Sequence, residues 1–335
     1  MFDETRLDDE GVLATADLRL RGLAESGARV RREALALTDA SATLRDRVTG
    51  RPRAVIAAGP DSRLLRAVLE PTCPVPLVAW PSAGLPGWAG SLDLVVVLAP
   101  DGGDPATAAA VSEASRRGCQ VLVAAPAASL VAEHVTGTDS FLVPTQTRDQ
   151  LAVAVAVLSL LADLGLGPAT DPDQIAAVLD DVAVECSPHR ELTTNVAKLL
   201  ALSLGDATPL VWGGSMLAAR AARRVAEALR RASGRAVVAG ETDQLLPVLE
   251  AAEAASIFDD PFDSPAAPKP VLVVLDDGVD EPAIHEQRRR LTAVADQRNL
   301  RVELISADSG GDVARYAHLV LVGTYASEYL RLGTA

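Results

Sequence analysis

The chain has 335 residues, 49% of them hydrophobic, and a formal net charge of −14. That length and apolar share permit a large core divided over about two domains. The acidic balance, with no basic run or basic face, argues against nucleic acid and anionic membrane surfaces as partners.

Only two lysines, Lys198 and Lys269, accompany 29 arginines, which reads as high-GC coding bias before it reads as function. Cys73, Cys119 and Cys186 are widely spaced and odd in number. They suggest neither a disulfide framework nor a zinc site, so a reduced cytoplasm, no metal and no cofactor are expected. The opening MFDETRLDDEGV is acidic and lacks the form of a signal peptide. The most apolar run, LAVAVAVLSLLADLGLG from Leu151, is short for a membrane span and is expected to be a buried helix.

Helical periodicity runs through Leu13, Leu18, Leu20, Leu23, Val30, Leu35 and Leu37, giving an N-terminal helical arm over residues 1–50. Strands are predicted at 53–58, 75–80, 91–99, CQVLVAA and SFLVPT, with helices from Arg63, from Pro105 and from about Thr147 to Asp163. The breaker-rich GLGPATDPDQ marks a boundary, so a first domain covers 51–165 and a second 166–335. Helices follow at Pro172–Asp181 and Glu191–Leu204. Strands PLVWG, RAVVAG, VLVVLDD, LRVELIS and HLVLVG (318–323) then alternate with helices at 215–232, near 242–255 and at 282–298. A Pro/Asp-rich loop occupies FDDPFDSPAAPKP, and a last helix reads TYASEYLRLG.

Apolar strands alternating with helices imply parallel sheets covered on both faces. The expected fold is therefore α/β: two tandem doubly wound, flavodoxin-like domains behind a helical arm. Ligands of such folds sit beyond the carboxyl ends of the strands. The search narrows to AAGPDS, LAPDGGDPAT, LVPTQTRDQ, VWGGSM and LVGTYASEY.

From the residues alone, Gly214 and Ser215 form a glycine–serine turn before a helix, suited equally to an anion nest and to an ordinary N-cap. Asp104 followed by Pro105 suits helix initiation, although the amides of the GGD turn at Gly102 and Gly103 could also attract an anion. Asp276 and Asp277 at a strand end read as a turn with an acidic cap, with Mg²⁺ binding the alternative. No G-x-G-x-x-G follows the first strand, and GGSMLAAR is no Walker loop.

The tandem order, the opening LDDEGVLATADLRLRGL, the junction PLVWGGSMLAARAARRVAEAL and the segment LVLVGTYASEYLRL resemble the sugar isomerase (SIS) domain proteins. Within them the chain is similar to the bifunctional phosphoglucose/phosphomannose isomerases, in a divergent branch of high-GC bacteria. The resemblance implies aldose–ketose isomerisation of glucose 6-phosphate or mannose 6-phosphate, a sugar-phosphate ligand and a homodimer. It also places ligand contacts at Ser62, Gly102, Gly103, Thr107 and Arg148, and the apolar helix 147–163 at the dimer interface.

The departures from the family pattern are chemical. Ala99 and Asp101 stand where the family has phosphate-binding serines, and Pro60 and Asp61 replace two glycines. The proton-transfer glutamate position falls near Arg231, leaving Glu227, one turn earlier, as the candidate base. The stretch QLLPVLEAAEAASIF, where the resemblance expects a ring-opening histidine, has none, and the family's C-terminal lysine has no counterpart. His134, His189, His285 and His318 lie elsewhere. Two functions follow: a phosphosugar isomerase with degenerate motifs, or a non-catalytic SIS protein acting as a sugar-phosphate sensor or as a partner in sugar-nucleotide metabolism.

Overall fold

The computed structural model describes residues 2–47, 50–60, 62–252 and 268–334. Asp61 and most of the Pro/Asp-rich stretch lie outside the described residues. The elements in chain order are α1 (Glu10–Ala24), α2 (Ser26–Arg47), β1 (Val55–Ala58), α3 (Ser62–Leu69), β2 (Leu77–Trp80), β3 (Leu94–Leu98), α4 (Pro105–Arg116), β4 (Gln120–Ala125), α5 (Leu130–Glu133), β5 (Ser140–Pro144) and α6 (Gln150–Asp163). Then follow α7 (Pro172–Glu185), α8 (Val196–Leu204), β6 (Thr208–Gly213), α9 (Met216–Ser233), β7 (Val238–Ala239), α10 (Thr242–Glu250), β8 (Pro270–Asp276), α11 (Pro282–Gln297), β9 (Arg301–Ser306) and α12 (Asp312–Thr334).

The chain forms two compact units: Ser26–Ala176, and Met1–Glu25 together with Ala177–Ala335. The residues read from sequence as one arm over 1–50 thus divide, α1 joining the second unit and α2 the first.

The first unit is built on a parallel sheet in the order β2-β1-β3-β4-β5. Strands β1 and β3 are buried along their whole length, as a sheet covered on both faces requires. From β1 the chain passes to β2 on one side and returns to β3 on the other, so strand order reverses between β1 and β3. Doubly wound folds take their ligands in a crevice at such a reversal, beyond the carboxyl ends of the strands. Helix α6 packs along α2, and Ala152–Leu158, Leu160 and Leu161 are buried within the unit. This corrects the expectation that the apolar helix serves a dimer interface: its side chains are already consumed by the core.

The second unit repeats the scheme with β7-β6-β8-β9, all parallel, and its reversal lies between β6 and β8. One expected element changes type. Residues 318–323 belong to the 23-residue helix α12, not to a strand. A short apolar run with Val320 and Val322 suits either conformation, and packing decides. Small residues at Ala314, Ala317, Gly323 and Ala326 let α12 lie close against α9 and α8. A Cβ added to Gly323 would come within 2.3 Å of Val225 on α9.

The opening LDD segment is built into this unit. Leu7 is fully buried, Asp9 caps α1 by accepting the Val12 amide at 2.8 Å, and Asp8 pairs with Lys198 at 2.6 Å. The Lys198 ammonium is entirely buried and also donates to the carbonyls of Pro188 (3.0 Å) and Arg190 (2.8 Å). It lies over the ring of Tyr329, whose hydroxyl donates to the Cys186 carbonyl at 2.6 Å. Burial pushes the Tyr329 phenol far above its usual range and the Cys186 thiol up to about 12, so neither ionises near neutrality.

Candidate functional site

The β1/β3 crevice of the first unit is made by two turns. After β1 the chain bends at Gly59, whose amide donates to the Trp80 carbonyl, and the Ser62 amide donates back to the Gly59 carbonyl to open α3. Ser62 is 1% exposed, and its hydroxyl has no hydrogen-bond partner among the described residues. A buried hydroxyl left unpaired costs about 1–3 kcal/mol, so its presence calls for an explanation. After β3 the chain turns at Gly102, with φ +66°, where a Cβ would strike Ser129 at 2.4 Å; only glycine fits. The two turns meet: a Cβ built on Gly59 would lie 3.4 Å from the Thr107 hydroxyl.

Asp104 determines the character of this meeting point. Its carboxylate caps α4, accepting the amides of Thr107 (2.9 Å) and Ala106 (3.4 Å) and the Thr107 hydroxyl (2.5 Å). The Thr107 hydroxyl, ahead of the backbone amides, holds the Asp104 carboxyl below the usual carboxylate range, so it is ionised near neutrality. Of the two readings open in the sequence, the N-cap is the one adopted. The donors that an incoming anion would use at α4 already serve a side chain of the protein. Gly103 is exposed beside them, as is Asp101.

The turn after β5 is satisfied in the same way from a distance. Glu33 on α2, only 2% exposed, accepts the amides of Gln146 (3.0 Å) and Thr147 (2.5 Å) and the Thr147 hydroxyl (2.7 Å). Asp149 caps α6 and pairs with Arg29 at 2.7 Å. Arg148 is exposed and has no partner among the described residues. It follows β5, three strand spacings or about 14 Å from β1, so the sheet does not bring its backbone beside Ser62. The Thr145 hydroxyl is a second buried, unpaired group on this edge.

In the second unit Ser215 caps α9, accepting the Ala218 amide at 2.9 Å, and donates its own hydroxyl to the buried Asp277 after β8. A cavity of about 210 Å³ opens at the carboxyl ends of β6 and β8, lined by Trp212, Gly214, Asp277, Ile284, His285 and Arg288. Asp276 pairs with Arg288 at 2.6 Å and His285 with Asp280 at 3.2 Å. No cluster of three or more metal-ligating side chains occurs among the described residues. A larger recess of about 970 Å³ lies at the amino ends of β6 and β8, the opposite end from the one where doubly wound folds take ligands.

The acid–base candidates do not converge. Glu227 lies eleven residues into α9, about 17 Å along the helix from its amino end, and is held by Arg224 (3.2 Å) and Arg231 (2.5 Å). Each carboxylate oxygen therefore accepts from an arginine of the same helix. His134 caps the end of α5, His189 is exposed in a turn, and His285 is on the surface of α11. His318 is on α12, not at the start of a strand, and burial lowers its pKa. QLLPVLEAAEAASIF is described as far as Ala252. Sequence reasoning singled out Ser62, Gly102 and Thr107, which lie on the two turns that meet at Gly59 and Thr107, and Gly214 with Ser215. It missed Glu33, the bond from Ser215 to Asp277 and the Lys198–Asp8 pair, whose partners are separated in the chain by 62 to 190 residues.

Residues 193–333 match the model of the bacterial phospho-glucose isomerase C-terminal SIS domain. The matched stretch lies within the second unit and gives that unit the character of a SIS domain. The resemblance read from its junctions is therefore upheld. Comparison with curated proteins gives no match. Among solved structures the fold is similar to tagatose-6-phosphate ketose/aldose isomerase from Escherichia coli, with 13% identity, 93% of this chain and 92% of that chain covered, and a TM-score of 0.66. It is similar to the C-terminal domain of glucosamine-fructose-6-phosphate aminotransferase from Francisella tularensis, with 12% identity, 93% and 94% covered, and a TM-score of 0.65. A glucose-6-phosphate isomerase-like protein from Thermus thermophilus shares 17% identity over 92% of each chain, with a TM-score of 0.52. At these identities the likeness is one of fold: two parallel-sheet α/β domains of SIS type. Among the described residues no helix is long and apolar enough to cross a membrane.

Proposed function

We propose that this SIS protein binds a carbohydrate derivative at the β1/β3 crevice of its first unit and does not isomerise it. The observation that carries the reading is the Ser62 hydroxyl, buried and unpaired beside the Gly59–Thr107 contact, at the reversal point where doubly wound folds take ligands. A ligand hydroxyl there would supply the missing hydrogen bond. The phosphosugar enzymes of similar fold support a carbohydrate as the class of ligand. Against turnover stand the arginine-locked Glu227 and the dispersal of the four histidines, since aldose–ketose isomerisation needs a base within hydrogen-bond reach of the substrate carbon's proton.

Homodimerisation belongs to the same proposal. Leu18 on α1 and Leu35 on α2 are 85% and 77% exposed, apolar side chains that a second copy would cover. Light scattering on the purified chain checks it: a monomer at micromolar concentration ends that part.

Binding is tested by melting-temperature shift with a panel of hexoses and hexose phosphates, and turnover by coupled assays on glucose 6-phosphate and mannose 6-phosphate. The expected result is a shift that Ser62→Ala abolishes, with no turnover. Turnover lost in Glu227→Gln would establish the isomerase reading instead.

A further inference from the structure

We propose that the crevice selects a sugar whose group facing α4 is uncharged or cationic, and that Asp104 excludes a phosphoryl group there. The inference rests on the carbohydrate-binding reading above and names the ligand class of that site.

An oxyanion at the start of a helix is held by the first free amides and by nearby hydroxyls. At α4 those donors are the amides of Ala106 and Thr107 and the Thr107 hydroxyl, and all three point to the Asp104 carboxylate. A phosphoryl dianion would have to displace a carboxylate that is tethered to the same helix and therefore always present at high local concentration. Failing that, it would sit beside that charge. Either course is unfavourable, and like charges a few ångströms apart at a protein surface repel appreciably.

The next donor set along the sheet is no freer. The Gln146 and Thr147 amides and the Thr147 hydroxyl already serve the buried Glu33. Arg63, immediately after Ser62, is exposed, and so is Arg148, about 14 Å away beyond β5. Surface charges of that kind are screened by water and salt and contribute little. What the crevice retains is the buried, unpaired Ser62 hydroxyl and the Asp104 carboxylate, whose partner, the Thr107 hydroxyl, lies against the Gly59 turn. A hydroxyl pairs with sugar hydroxyls. A carboxylate accepts from hydroxyls or from an ammonium group.

The test is calorimetric titration of the full chain with glucose, glucosamine, glucose 6-phosphate and fructose 6-phosphate, repeated on Asp104→Asn and on Asp104→Ser. Both substitutions keep an N-capping side chain and remove the charge. In the wild-type protein glucose or glucosamine is expected to bind at least tenfold more tightly than either phosphate. In the variants that ratio is expected to move at least tenfold toward the phosphorylated sugars. Tighter wild-type binding of a phosphate, or a ratio unmoved in both variants, overturns the charge selection while leaving carbohydrate binding in place. If Arg63→Ala then removes the phosphate binding, the rim arginine is its cause. Binding of none of the four overturns the carbohydrate reading itself.

Discussion

Replacing Lys198 by methionine is the sharpest structural test of how the N-terminal segment is held. Methionine matches the lysine stem in length but donates nothing. The Pro188 and Arg190 carbonyls, both part-buried, each lose a charged donor at 3.0 and 2.8 Å, at about 1 kcal/mol apiece. The ion pair with the half-exposed Asp8 contributes about 0.5–1 kcal/mol, because that carboxylate recovers water once released. The ammonium over the Tyr329 ring, 5.6 Å from its centroid, adds about 1 kcal/mol. Relief of burying an ammonium works in the opposite direction. The net expectation is a loss of about 3 kcal/mol from the second unit. Urea unfolding followed by Trp212 fluorescence, in a background where Trp80 and Trp88 are phenylalanine, measures it. A loss below about 0.5 kcal/mol, or a gain, would show that desolvation of the lysine outweighs its four contacts, and the clamp argument would be wrong.

Gly323→Val should destabilise α12 against α9 by about 2–4 kcal/mol, because a branched side chain would enter space already filled by the fully buried Val225; thermal unfolding at an unchanged midpoint would refute the close approach. Glu33→Gln, which keeps an oxygen for the three donors but removes the charge that strengthens their bonds, should cost about 1 kcal/mol and speed hydrogen exchange at Gln146 and Thr147. The Asp104 and Asp8 carboxyls both lie below their usual pKa, through the Thr107 hydroxyl and the Lys198 ammonium respectively. Their contributions are fully present above the unfolded value of about 3.9 and are lost as pH falls through the lower folded values. Asp104→Asn and Asp8→Asn should therefore each narrow the stability gap to wild type only below about pH 4, and a gap that closes nearer pH 6 would exclude this origin.

Much of the scaffold was legible because it is local. Unbroken apolar strands such as LVVVL and VLVVL, separated by helices with Asp or Ser at their caps, can hardly be read except as covered parallel sheets. Asp104 before Pro105 announced its own capping role. The exceptions are instructive. HLVLVG reads as a strand by composition, yet the small residues of α12 matter only once α9 lies against them. The apolar helix after Asp149 looked free to meet a partner copy until α2 was seen to cover it. The arm looked continuous because its periodicity is, whereas its two helices pack in different units.

The site divides along the same line. Which turns stand at the carboxyl ends of the strands could be read from strand order. The occupancy of each donor could not. Glu33 reaches Thr147 over 114 residues, and Asp8 reaches Lys198 over 190. Short-range chemistry, meaning propensity, capping and alternation, is written in neighbouring residues and survives in the sequence alone. Pairing between distant charges depends on positions that only the folded sheets and helices supply, so whether a helix end greets an anion or already holds one is decided in three dimensions.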